Sequence, residues 1–118
     1  MIKFATITGW SMSPVLKQGD VIGYSPSSGY ELGDIIVFKY RSQIVAHRLL
    51  SISNTQLIVK GDNYFKTDDL IKPTDVIGVA KFLMRRGASN IHFDLRSKSA
   101  NRFMLYYSAF EIKIGDFL

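Results

Sequence analysis

Residues 9–20 read GWSMSPVLKQGD, and this stretch places a serine between a glycine and a turn-forming proline. Ser11 precedes Pro14 by three residues, and a Gly-Asp pair at 19–20 returns the chain to an apolar run. Most serines are solvated loop residues, so a single serine predicts no chemistry. Later segments repeat this alternation of polar turn and apolar strand, and together they predict a β-rich fold in which Ser11 is a candidate nucleophile.

Four segments in order resemble the motifs of the signal peptidase I and LexA-like protease superfamily. The first is Ser-Met-x-Pro followed by Gly-Asp, filled by Ser11, Met12, Pro14, Gly19 and Asp20. The later three are Gly33 to Phe38, Ala46 to Leu49 with a His-Arg pair, and Lys60 to Asn63 with Asp68 six residues beyond Asp62. The resemblance covers roughly residues 4 to 87 and implies a coiled β fold with its active site in a groove.

Composition bounds the class of protein. The chain has 118 residues, of which 47% are hydrophobic and 21% charged, as expected for one globular domain with a modest core. It contains no cysteine, which excludes disulfides and thiolate metal sites. The net charge of +5 comes from scattered basic residues. A solvated mixed surface therefore fits the charge better than a nucleic-acid site does.

Short apolar segments separated by Gly- and Pro-marked turns predict a mainly β, compact antiparallel domain over residues 1–87. Alternation predicts the first strand at residues 2–8. The other predicted strands are Asp20–Tyr24, Asp34–Tyr40, Ile44–Ile52, Gln56–Lys60 and Asp75–Met84. The polar segment 61–73 predicts a loop.

Residues 88–118 form an extension that we expect to pack on the same domain. Ile91 to Leu95 is compatible with one more strand, and Ser97 to Glu111 predicts a helix with Ser97 as its N-cap. Aromatic residues recur along one face of this helix. That face either packs on the β-domain, which is the simpler interpretation, or contacts a partner or a membrane.

The two histidines differ in context. A serine hydroxyl needs an adjacent base to become a nucleophile. His47 lies in a predicted strand with Val45 and Leu49 on its face, between the serine motif and the Lys-Gly-Asp-Asn motif. The resemblance assigns it as general base and then general acid, at the place where LexA-like proteases carry lysine. Lys60 does not occupy this place, and its position beside Gly61-Asp62 suggests a surface salt-bridge partner. His92 lies beyond the resemblance and is interpreted as structural.

An acidic side chain after His47 would fix the tautomer of the base and stabilise its charged form. The candidates are Asp62, Asp68 and Asp69. The resemblance favours Asp68 for this role and assigns Asp62 to holding the loop. Whether Asp62 also shares the role of Asp68 stays open. Asp69 could replace Asp68 in the alignment. The Ser11 N–H is the first candidate oxyanion donor, and the second donor stays open.

These observations predict a serine endopeptidase that cleaves a leader, propeptide or signal sequence, with no metal or cofactor. The resemblance implies an extended substrate with small residues near the cleavage site. No apolar run reaches the roughly 18 residues of a membrane span, and Met1 to Thr8 is too short and polar for a signal peptide. We therefore expect a cytoplasmic or peripheral membrane location. The alternatives are a non-catalytic peptide-binding module and a self-cleaving repressor domain.

Overall fold

The computed structural model describes residues 1–26, 29–64, 66–67, 70–85 and 91–95. Within these ranges, seven strands form one antiparallel sheet. They are β1 (Lys3–Thr6), β2 (Val21–Ser25), β3 (Ile35–Tyr40), β4 (Gln43–Ile52), β5 (Leu57–Lys60), β6 (Val76–Arg85) and β7 (Ile91–Asp94). A single 3-10 turn, Pro73–Asp75, leads into β6.

The order of strands in the sheet is β1-β2-β6-β3-β4-β5, with β7 added on β6. β3, β4 and β5 follow one another as antiparallel neighbours. The chain then crosses back, so that β6 pairs with both β2 and β3. Irregularities at Gly23/Tyr24 and Val37/Phe38 interrupt the ladders that β6 forms with β2 and with β3. Such bulges increase local twist, which helps the sheet to coil.

Two apolar clusters lie on opposite faces of β3. Ile35 and Val37 belong to the first cluster, whereas Ile36 and Phe38 belong to the second. Successive strand residues point to opposite faces, so a strand buried on both sides reads as a continuous apolar run. This is why the segment 35–38 has no polar residue.

The structure confirms the predicted fold class, a mainly β antiparallel domain. Every strand predicted within residues 1–84 is present, with ends shifted by one to a few residues. β7 begins at Ile91, and Leu95 beyond it joins the first cluster. The helix predicted at Ser97–Glu111 lies outside the described residues. No helix in the described ranges is long and apolar enough to cross a membrane.

Candidate active site

The serine motif forms a closed turn between β1 and β2. Its ends are joined by two backbone hydrogen bonds, from Ile7 N to Asp20 O at 2.7 Å and from Gly19 N to Ile7 O at 2.9 Å. Gly19 has φ +92°, a conformation that glycine adopts without steric cost. Met12 and Leu16 are buried in the first cluster. The turn is thus anchored from beneath, with Ser11 at the edge of a cleft.

His47 lies on β4 directly opposite Ile36 of β3. Its side chain is buried, and it shares the second-cluster face of the sheet with Val45 and Leu49, as strand alternation predicts. A hydrogen bond of 3.0 Å joins Ser11 Oγ and His47 Nε2. When the hydroxyl donates, Nε2 accepts, which is the arrangement that a general base requires.

The loop after β5 packs directly on the serine. Asn63 N donates to Ser11 O at 2.8 Å, and Asp62 N donates to Met12 Sδ at 3.3 Å. A Cβ added to Gly61 would lie 2.6 Å from Ser11 O, closer than real Cβ contacts allow. The approach of these two backbones therefore requires glycine at position 61.

A buried ion pair ties this loop to the strand that carries the histidine. Arg48 Nη2 donates to Asp62 Oδ2 at 2.7 Å, and Arg48 Nε donates to Asp62 Oδ1 at 3.2 Å. Arg48 Nη1 donates to Gly33 O at 2.8 Å. Both charged side chains are almost fully buried. Because Arg48 follows His47 in the chain, the pair connects the loop beside Ser11 to the strand of its partner.

Ser11 and His47 line one cleft of about 470 Å³. One wall is residues 4–8, from β1 onward, and the other is residues 43–47 of β4. Tyr64 lines the same cleft. Within the described part of the chain, β1 pairs with β2 alone, and β4 pairs with β5 only from Arg48 to Ile52. Both walls therefore present a strand edge to the cleft.

One of three comparisons with known proteins finds a match. Residues 2–81, more than half of the chain, match the model of the Peptidase S24-like family. The chain belongs to the Peptidase S24-like family. Membership implies a serine-peptidase kind of activity on this scaffold and supports the LexA and signal peptidase-like superfamily indicated by the motifs. The comparison with curated proteins and that with solved structures find no significant match.

A second ion pair closes the far end of the serine turn in this S24-like peptidase domain. Arg85 donates to both Asp20 oxygens, from Nε at 3.0 Å and from Nη2 at 2.9 Å, and Nη2 also donates to Val15 O at 3.1 Å. The Lys17 N–H donates to Asp20 Oδ2 at 2.8 Å. Burial by itself raises the pKa of Asp20, but the hydrogen bonds from Arg85 and the Lys17 N–H outweigh it. The pKa therefore lies below its ordinary value of 3.8.

The structure corrects the interpretation of Lys60 as a surface residue. Its position beside Gly61 suggested a surface salt-bridge partner, but its side chain is 0% exposed and Nζ donates to Gly61 O at 2.9 Å. The reason is the register, because Lys60 pairs with Arg48 across β4 and β5, and directly opposed residues share a face of the sheet. Arg48 points inward, so Lys60 does too.

The remaining predicted site residues divide into two groups. Asp62 lies beside the serine turn, as described above, whereas Asp68 and Asp69 lie outside the described residues, as does the side chain of His92. Ser13, the second serine of the motif, has its N–H bonded to Trp10 O at 3.1 Å. Among the described residues, no group of three or more His, Asp or Glu could hold a metal ion.

Sequence reasoning missed the partners of these residues. In the sequence, Arg48 stands out only as part of a His-Arg pair, and Arg85 is only one of the scattered basic residues. Phe38 appears only as the end of a motif segment and Tyr64 not at all, although both pack against His47. The available signal was the position of Arg48 next to His47 and of Tyr64 two residues after Asp62.

Proposed function

We propose that this chain is a serine endopeptidase of the histidine-using signal peptidase I-like type, with Ser11 as nucleophile and His47 as base. The observation that carries the proposal is the 3.0 Å hydrogen bond between Ser11 Oγ and His47 Nε2 at the cleft. Family membership supports the reaction class. A histidine here replaces the lysine that the resemblance implies for LexA-like relatives.

The reaction follows from this pair. His47 Nε2 takes the Ser11 proton as Oγ forms a bond to the scissile carbonyl carbon. The resulting imidazolium then gives that proton to the leaving amine as the C–N bond breaks, which leaves an acyl-enzyme. Water loses a proton to Nε2 and attacks the ester, and the return of that proton to Ser11 Oγ releases the acid. The Ser11 N–H is the proposed oxyanion donor.

The carboxylate that orients His47 is a separate part of the proposal. Asp68 keeps this role on the basis of the motif, with Asp69 as the alternative if the alignment shifts by one residue. Asp62 is engaged through both of its oxygens with Arg48. This geometry supports Asp62 as the residue that holds the loop.

The proposed substrate is an extended peptide, such as a leader, propeptide or signal sequence. Its support is the pair of strand edges, residues 4–8 and 43–47, that face the cleft, because an extended chain adds to exposed sheet edges through main-chain hydrogen bonds. The motif resemblance adds small residues at the first and third positions before the scissile bond.

The test uses a peptide library prepared from a proteome digest, incubated with each purified variant, and mass spectrometry of the new termini. Wild type and Ser13→Ala should generate the same new termini, whereas Ser11→Ala and His47→Ala should generate none. Wild type, Ser11→Ala and Ser13→Ala should unfold at similar temperatures, because a partly buried loop hydroxyl contributes little stability. His47→Ala should unfold at a lower temperature, because it removes a buried side chain. Cleavage by Ser11→Ala at the wild-type rate would refute the proposal. Binding of peptides without any cleavage by wild type would favour the binding module.

A further inference from the structure

The imidazole of His47 contacts two aromatic rings that differ in exposure. The Phe38 ring lies 6.1 Å from it, centroid to centroid, at 70°, and the Tyr64 ring lies 6.3 Å from it at 85°. Both are edge-to-face contacts. Phe38 is 2% exposed and belongs to the second cluster, whereas Tyr64 is 49% exposed. Phe38 therefore packs in the core, while half of the Tyr64 side chain is available to another molecule.

The backbone that carries Tyr64 is anchored to the proposed catalytic pair. Tyr64 N donates to Gly61 O at 3.0 Å, and the preceding residue, Asn63, donates to Ser11 O at 2.8 Å. The Arg48–Asp62 ion pair holds the same turn to β4. A single exposed aromatic residue needs no explanation on a protein surface. This one has a fixed position, contacts the base and lines the cleft.

The chemistry defines which part of a substrate lies beside this ring. The leaving nitrogen must come within about 3 Å of His47 Nε2 to receive its proton. The side chain of the residue that bears this nitrogen therefore lies close to the imidazole. Tyr64 is the half-exposed ring in contact with that imidazole.

We infer that Tyr64 is a specificity-determining residue, which forms the wall of the subsite for the first residue after the scissile bond and favours an apolar side chain there. An apolar side chain against the ring removes apolar surface of both partners from water, whereas an acidic side chain would lose hydration without a matching partner. The inference rests on the proposed function and names one part of its substrate preference.

The experiment uses the same peptide library with wild type, Tyr64→Phe, Tyr64→Ala and Leu70→Ala. Leu70 is exposed to a similar extent on the same loop and is the matched control, as it does not line the cleft. Wild type, Tyr64→Phe and Leu70→Ala should show apolar residues enriched directly after the cleavage site. Tyr64→Ala should lose this enrichment, keep the preferences before the cleavage site, and cleave the best apolar peptide with kcat/KM about tenfold lower.

Each outcome separates the inference from the proposed function. If wild type cleaves in a Ser11-dependent manner and Tyr64→Ala keeps the apolar preference, Tyr64 does not form this subsite and the inference alone fails. An equal loss of kcat on all peptides by Tyr64→Ala would also overturn it, since the ring would then only position the base. No cleavage by wild type would overturn the proposed function and this inference together. If Tyr64→Ala folds poorly, Tyr64→Gln keeps an extended polar side chain without the ring and should give the same shift in preference.

Discussion

Arg48 and Arg85 hold aspartates in the same forked geometry, but in different surroundings. Each guanidinium donates from Nε and Nη2 to the two oxygens of one carboxylate. Arg48 is 1% exposed at its side chain and Arg85 is 27% exposed. In both pairs the carboxylate is buried and follows a glycine in the sequence. The forked geometry of the two pairs is the same, whereas the access of water to the arginine differs.

The difference in exposure corresponds to the elements that the two ion pairs join. The Arg48–Asp62 pair joins the loop beside Ser11 to the strand of His47, so it controls the distance between the two proposed reacting groups. The Arg85–Asp20 pair closes the turn at its other end, away from His47. A sealed pair has few alternative arrangements, because either charge alone would be buried without a partner. In the second pair Arg85 is partly exposed, so water can replace Asp20 as its partner at lower cost.

The first prediction breaks the buried pair. Arg48→Met should lower the free energy of unfolding by about 3–5 kcal/mol, since the Asp62 carboxylate would remain buried without its charged partner. Urea denaturation followed by circular dichroism would measure the change. The double variant Arg48→Met/Asp62→Leu should recover most of the loss. If Arg48→Met lowers the free energy of unfolding by less than about 1 kcal/mol, the Arg48–Asp62 pair contributes no more than a surface ion pair does. The contrast between the two ion pairs would then be wrong.

The second prediction disturbs the same loop without touching a charge. Gly61→Ala should lower stability by about 1–3 kcal/mol and the rate of peptide cleavage by about 100-fold, because the new Cβ would displace the Ser11 backbone. Gly29→Ala is the control, since a Cβ there meets nothing within 4 Å. Thermal unfolding and library cleavage would be measured for both. Equal behaviour of the two variants would show that the loop and the serine turn do not require this close approach.

The third prediction concerns the Arg85–Asp20 pair, whose arginine is partly exposed, and it has the smallest effect. Because the folded-state pKa of Asp20 lies below its unfolded value, its contribution to stability is fully present above pH 3.8 and is lost as the pH falls through the folded-state pKa. Asp20→Asn should therefore cost about 1 kcal/mol at neutral pH and progressively less in acid. Arg85→Met should show the same convergence with wild type. The measurement is the thermal midpoint of all three proteins from neutral pH to about pH 3. A difference that stays constant over this range would contradict the role of the Asp20 charge.

The elements that the sequence predicted well are those set by local pattern. Strand alternation and turn residues predict the strands through residue 84. The order of the motifs predicts that Ser11 and His47 belong to one site. The errors at strand ends are small because Gly and Pro mark the turns. Lys60 was misplaced for a non-local reason, since its inward direction depends on pairing with Arg48 twelve residues earlier in the chain.

The sequence by itself determined the β class, the turn that contains Ser11, and the strand that carries His47. These follow from residue type and spacing within short windows, where backbone sterics and strand periodicity act. Only the tertiary structure decided that Ser11 Oγ meets His47 Nε2, that Arg48 and Arg85 hold Asp62 and Asp20, and that Tyr64 packs against His47. Those contacts join residues far apart in the chain, and they form because the coiled sheet brings the loop after β5 and the end of β6 onto the serine turn. Burial then makes each pairing obligatory, because a polar or charged group removed from water needs a partner.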